Sequence, residues 1–301
     1  MLSYVVMKTT FDNIKCMTIG GYNMKYRIIG DSCTDLTEEL KQNEHIYLVP
    51  LSLDVDGRIF EDDATFDQAE FLKAVAESPN CPKSSCPAPE SFMNLFEGED
   101  DIYVVTLSSN LSGSYNSAEL AKRLYLEDHP QKNIEIIDSC SASVGQTLIV
   151  LKIKELVEAG KSFDEVVKEV RKYRDELQTK FVLESLETLR KNGRLSNLKA
   201  FLASALNIKP VMGSTPEGEI QKLEQARGIN KALKLMAEII EKDSFDVENR
   251  VLGIAHCNNY ERALFVKEEI MKRMKFKDCI ITGTAGVSTL YANDGGIVVA
   301  Y

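Results

Sequence analysis

Tryptophan is absent from the 301-residue chain, histidine occurs three times, and positive charge is in deficit: 36 Lys and Arg stand against 46 Asp and Glu, a formal net charge of -10. The overall balance is acidic, and the chain is not expected to carry the strongly basic surface that a nucleic-acid partner requires. Long apolar runs are missing as well. No stretch approaches the roughly 20 residues that span a bilayer, and no integral membrane association is expected. The seven cysteines (Cys16, Cys33, Cys81, Cys86, Cys140, Cys257, Cys279) are odd in number and widely spread, with no C-x-x-C pair and no Cys/His cluster. That argues against a disulfide framework and against structural zinc. Residues 1-23 carry Lys8, Asp12 and Lys15 in a weakly apolar stretch without the continuous core of a secretory signal, and read as an N-terminal extension of a cytoplasmic protein with reduced thiols.

Catalytic templates are absent too. There is no G-x-x-x-x-G-K-[ST], no G-x-G-x-x-G after a strand, no H-E-x-x-H and no G-x-S-x-G. Serine nucleophiles usually need a histidine base, and of His45, His129 and His256 only His256 stands at the end of a strand-like run. A phosphoryl- or acyl-transfer enzyme built on His256 is therefore the alternative to a binding protein; the plainer role for His256 is a hydrogen-bonded histidine near a domain interface. The acidic runs Glu61-Asp62-Asp63 and Glu97 to Asp101 lack ordered ligand spacing and read as solvated loops.

What is present is an ordinary globular composition, 44% hydrophobic and 27% charged, long enough for two domains. From Lys25 onward, β-branched runs alternate with helical periodicity, the pattern of a parallel sheet covered by helices. Tyr26-Ile29, Ile46-Val49, Ile102-Leu107 and Ile134-Ile137 read as strands, with helices over about Phe66-Ala76, around Phe92-Phe96, through Ala118-Leu124 and over Leu148-Val157. Thr65 and Gln68 have the spacing of a capping box. The second half mixes helices (about Ser185-Arg190, Leu198-Leu206, Asn230-Lys242, Tyr260-Arg273) with strands at Phe181-Leu183, Ile208-Val211, Ile220-Leu223, Val251-Ala255, Ile280-Ile281 and Ile297-Tyr301. Short turns such as Pro216-Glu217-Gly218 suggest hairpins and an α+β domain. The boundary is expected within Ser162-Gln178, which gives an α/β domain over 24-172 and an α+β domain over 173-301.

Three of the expected parallel strands end in hydroxyl-bearing loops, Asp31-Ser32, Ser108-Ser109 and Asp138-Ser139. Taken singly, each is an ordinary helix N-cap. Together they fall on the carboxyl edge of an open sheet, where ligands bind and helix N-termini favour anions. Lys83-Ser84-Ser85-Cys86-Pro87 adds hydroxyls in what by itself is a polar turn. Arg194 and Arg227, each in a connecting segment, suit a carboxylate or phosphate. Phe181 onward and Leu198-Leu206 read as plain core.

In the same order along the chain, Asp31-Ser32, Lys83-Ser84-Ser85-Cys86-Pro87, Leu107-Ser108-Ser109-x-Leu111-Ser112-Gly113-Ser114-x-x-Ser117-Ala118, Gly193-Arg194-Leu195-Ser196 and Ala226-Arg227-Gly228 resemble the motifs of the DegV family of bacterial fatty-acid-binding proteins, over essentially Met24 to Tyr301. The resemblance implies an N-terminal Rossmann-like domain and a C-terminal DegV-type α/β domain. One long-chain fatty acid of the palmitate, stearate or oleate class would lie in the cleft between them. Its carboxylate would be presented to a fatty-acid kinase for acyl-phosphate formation, with no cofactor and no catalytic residue on this chain. By motif, Ser84 or Ser85, Ser108-Ser109 and the backbone at Ser112-Gly113 would bind the carboxylate, with Asp31 and Ser32 in the adjoining loop. Arg194 and Arg227 would lie near the mouth, for the head group or for kinase docking. Two departures stand out: Ser84 and Cys86 replace the family's common Thr and Gln, and Tyr291-Ala292-Asn293-Asp294-Gly295 aligns with a frequent His-Thr-Gly-Pro-Gly stretch. Tyr291 therefore occupies the usual His position.

Overall fold

The computed structural model describes residues 25-98, 100-195 and 207-301. The expected helix at Leu198-Leu206 and the extension 1-23 lie outside the described residues. In chain order the N-terminal half comprises β1 (Tyr26-Asp31), α1 (Glu38-Lys41), β2 (Ile46-Val49), β3 (Ser52-Val55), β4 (Arg58-Glu61), α2 (Gln68-Glu77), β5 (Lys83-Ser85), α3 (Pro89-Met93), β6 (Asp101-Thr106), α4 (Ser114-Asp128), β7 (Ile134-Asp138), α5 (Val144-Glu158) and α6 (Phe163-Glu176). The C-terminal half comprises β8 (Thr179-Val182), α7 (Glu187-Lys191), β9 (Ile208-Ser214), β10 (Ile220-Arg227), α8 (Ile229-Asp243), β11 (Val251-His256), α9 (Tyr260-Met271), β12 (Asp278-Gly283), α10 (Gly286-Ala292) and β13 (Ile297-Ala300).

Strands β2-β1-β6-β7 form a parallel sheet. Its central strands are buried along almost their whole length, because helices cover both faces; this is why they stand out in the sequence as unbroken apolar runs. A second sheet of order β10-β9-β8-β13-β11-β12 is antiparallel except for the parallel pair β11-β12. The β9-β10 hairpin turns at Pro216-Gly218 as expected, and β11 and β12 are joined through α9, in the place where the sequence reads a helix from about Tyr260. Side chains alternate strictly across the strands nearest the middle of this sheet. Val182, Ile297 and Val299 pack with α8 and α9, while Phe181 and Val298 face the other way.

The two sheets meet through α5. Ten of its fifteen residues are buried, and one apolar cluster joins its Leu148, Ile149 and Ile153 to Ile28, Tyr103 and Val105 of the first sheet and to Ala255 and Ala300 of the second. A helix apolar on nearly every side is one enclosed on nearly every side.

A third, three-stranded sheet, β4-β3-β5, is antiparallel. The sequence reading left it out, placing loops here. The overlooked signal is Asp56-Gly57, both at positive φ (55° and 83°), a two-residue hairpin turn between Leu53/Val55 and Ile59. This sheet turns Lys83-Ser85 from a polar turn into a strand, pairing Leu53 with Ser84 and Ser52 with Ser85. Helix α2 is capped by Asp67, whose carboxylate accepts the Glu70 amide, instead of by the Thr65 capping box. Gln68 is thereby free to donate to the Thr284 carbonyl and the Thr289 hydroxyl.

Candidate ligand cavity between the sheets

The carboxyl edge of the parallel sheet faces the open side of the second sheet across a cavity of about 780 Å³, open solvent at its mouth included. Cys33, Leu107 and Leu111 from the loops after β1 and β6, together with Cys140 to Ser143 after β7, form one wall. Phe181, Leu183 and Val298 form the facing wall, the β9-β10 turn at Gly218-Ile220 closes one side, and Val287, Ser288, Tyr291 and Ala292 of α10 close another. The lining is predominantly carbon. Phe181 and Leu183 read as core from the sequence; they are buried against the cavity instead, a distinction that strand periodicity does not encode.

Polar groups gather where α10 meets β5. The Tyr291 hydroxyl lies 3.0 Å from Ser84 Oγ. The Arg194 guanidinium lies 5.7 Å from the Tyr291 ring centroid, and its Nε donates to the Leu111 carbonyl at 3.2 Å. Cys86 packs against Gly113: a methyl at Gly113 would stand 2.9 Å from Cys86 Sγ. Segments widely separated in sequence thus converge on one place, and Ser84, Gly113, Arg194 and Tyr291 are brought together there.

The other expected residues are placed as follows. Ser108 is buried and donates to the Gly218 carbonyl at 2.8 Å, tying the loop after β6 to the β9-β10 turn. The Ser109 amide donates to Asp138 Oδ1 at 3.1 Å, and Ser112 Oγ accepts the Ser114 amide at 3.2 Å at the start of α4. Ser85 is exposed at the edge of the small sheet. Asp31 is fully buried behind the wall, accepting from the amides of Leu107 (2.7 Å) and Cys33 (3.2 Å) and from Gln146 Nε2 (2.9 Å). Burial, the largest influence on it, pushes its carboxyl up against these bonds. Ser32 accepts the Leu51 amide and donates to Asp62. Arg227 is exposed at the far end of β10 and does not line the cavity; it stands nine residues past Gly218, roughly 30 Å along an extended strand. His256 also lies outside the lining. Its Nδ1 accepts the Asn259 amide at 3.2 Å, its ring meets Tyr260 edge-on, and burial lowers its pKa.

Two buried carboxylates were not anticipated. Asp62, in a run read as a solvated loop, is 3% exposed. Its amide donates to the Leu51 carbonyl, which turns the side chain inward, where it accepts from Ser32 Oγ and from the Gly286 and Val287 amides. Asp35 accepts from Ser143 Oγ and the Ala285 amide. Burial raises Asp35 to about 7 and Asp62 to about 6. The partners recorded for both are neutral donors, so only hydrogen bonds offset the lost hydration.

Among the described residues no cluster of His, Cys, Asp or Glu has metal-holding geometry, and no helix is long and apolar enough to cross a membrane. A family model described as an uncharacterised protein of the DegV family matches residues 25-301. A DegV domain-containing protein of Streptococcus pyogenes serotype M18 is 37% identical over 284 residues, covering 92% of this chain and 99% of that protein. Among solved structures, a DegV family protein from Ruminococcus gnavus refined with vaccenic acid superposes with a TM-score of 0.91 at 48% identity, over 93% of this chain and 100% of that one. The Streptococcus pneumoniae fatty acid kinase B3 protein loaded with linoleic acid gives 0.85 at 34% identity, over 92% and 99%. Motif order, sheet topology and these matches over nearly the whole length agree: the chain belongs to the DegV family.

Proposed function

We propose that the protein binds one long-chain fatty acid, of the palmitate, stearate or oleate class, in the cavity between its sheets and presents the carboxylate to a fatty-acid kinase, itself acting as a non-catalytic carrier. The observation that carries this reading is an apolar cavity lined in part by Tyr291 and Arg194, where the Tyr291 hydroxyl meets Ser84 and the Arg194 guanidinium lies by the Tyr291 ring. Each buried CH₂ contributes about 0.8 kcal/mol, so a tail of around 15 methylenes has roughly 12 kcal/mol of gross driving force before ordering costs. Each donor to the carboxylate adds at most about 1.5-3 kcal/mol, offset by desolvation. The tail therefore supplies affinity and the polar rim supplies direction.

The pneumococcal protein's description as part of a fatty acid kinase supports the partner, and Arg227, exposed and away from the cavity, is proposed for docking it. The alternative of acyl or phosphoryl transfer through His256 gains no support from a ring that hydrogen-bonds its own turn outside the cavity. A division at 172/173 falls inside α6, and the junction is better placed at Leu177-Gln178, between α6 and β8. Six free cysteines among the described residues are in keeping with a reducing, cytoplasmic setting.

Purified protein, denatured and extracted with organic solvent, is expected to release close to one fatty acid per chain by mass spectrometry. Ligand-free protein that also fails to take up added oleate overturns the reading. Incubation of the loaded protein with a pneumococcal fatty-acid kinase and ATP tests the second step, which fails if no acyl phosphate forms.

A further inference from the structure

Asp62 and Asp35 belong to the N-terminal half, yet between them they accept the first three amides of α10 and its cap: Ala285 at 2.6 Å on Asp35, Gly286 at 2.6 Å and Val287 at 2.8 Å on the two oxygens of Asp62. Amides at a helix start have no partner inside the helix, and a carboxylate there also meets the helix's positive end. Gly286 permits the approach, since a methyl on it would lie 2.6 Å from Asp62 Oδ1 and 2.7 Å from its Cγ. About one turn onward the same helix carries Ser288 and Tyr291 into the cavity wall, and the Tyr291 hydroxyl reaches Ser84. The seat of α10 therefore sets where the Tyr291 hydroxyl stands.

We infer that Asp62 is a positioning residue for head-group recognition: gripping the N-terminus of α10 with both carboxylate oxygens, it holds the Tyr291 hydroxyl at Ser84 on the polar rim of the cavity. This rests on the fatty-acid reading of the cavity. The groups facing Asp62 are the Ser32 hydroxyl, the Gly286 and Val287 amides, and the negative charges of Asp31 and Asp35. Protonation turns one oxygen into a donor and removes an acceptor from an amide that has no other, so the grip depends on the ionised form. Burial opposes ionisation while the amide bonds favour it, and the change falls near pH 6.

The test uses the full chain and laurate, followed by titration calorimetry from pH 5.5 to 8, with thermal melts confirming that each variant is folded. Asp62→Asn and Gly286→Ala, which disturb the grip from opposite sides, are each expected to weaken laurate by about three- to tenfold at pH 8, the scale of one hydrogen bond. Tyr291→Phe should weaken it similarly, and Asp62→Asn combined with Tyr291→Phe should weaken it no further. Wild-type affinity should fall more steeply toward pH 5.5 than that of Tyr291→Phe, a comparison that needs neither grip variant to fold. Additive losses in the double variant, or parallel pH profiles for wild type and Tyr291→Phe, overturn the inference while leaving the fatty-acid reading intact. Wild-type protein that binds neither laurate nor oleate overturns both.

Discussion

At the level of single residues, the buried Asp35 makes the clearest claim about stability. A carboxyl held at about 7 in the fold, against 3.8 as its ordinary value, binds its proton more tightly folded than unfolded. Its contribution is complete below about pH 4 and is lost as pH rises through 7. The slope is about 1.4 kcal/mol per pH unit while only the folded form holds the proton. Urea midpoints should accordingly fall between pH 5 and pH 7.5 in the wild type, and Asp35→Asn should flatten that fall; identical slopes in the two proteins would refute the assignment. Ser84→Ala, which removes the hydroxyl at Tyr291, should loosen head-group fixation more than it lowers total lipid content, because the tail supplies most of the affinity. Unchanged kinase-dependent phosphorylation of the bound lipid would contradict this. Ser84, Arg194 and Gly113 were legible beforehand because motif order singles them out. Asp62 was not, because its neighbours Glu61 and Asp63 are exposed and nothing local separates an inward aspartate from an outward one.

Among the elements, α5 binds the molecule together. Ile153 has no exposed surface and lies in the cluster shared by both sheets, so Ile153→Ala should cost about 2-5 kcal/mol. Both sheets should lose stability together, in one urea transition with its slope unchanged; two separated transitions would show that the helix serves only one sheet. The β9-β10 turn offers a second test. Gly218 has φ of +81°, and a methyl there would stand 2.3 Å from Ser108 Oγ and 2.7 Å from Cys140 Cα. Gly218→Ala should strain the backbone by about 1 kcal/mol or more and push the turn off the cavity, seen as a lower melting temperature together with less co-purified lipid. The parallel strands were found in the sequence because burial on both faces makes each an apolar run. Strands β3 to β5 were passed over because they are three or four residues long and largely half-exposed, and only the Asp56-Gly57 turn marked them.

Taken whole, the molecule repels what it is proposed to carry. A net charge of -10 opposes an approaching fatty anion over distances of about 10 Å at 0.1 M salt, and less as salt rises. Association of a fluorescent fatty acid should therefore quicken modestly as sodium chloride increases from 20 to 200 mM at a ligand concentration held below self-assembly. A slowing would point to a local cationic path outweighing the overall charge.

The position of β13 has a bearing on how the protein is made. It inserts between β8 and β11, pairing Val182 with Ile297, two residues separated by 115 positions along the chain. During synthesis β8 must wait, one edge bare, until nearly all the intervening polypeptide exists. Contacts this distant in sequence slow folding, and an uncovered strand invites pairing with neighbouring molecules. A nascent chain of this kind is a natural client for chaperones, and the cavity lacks its Val298 wall until that late strand has threaded the gap.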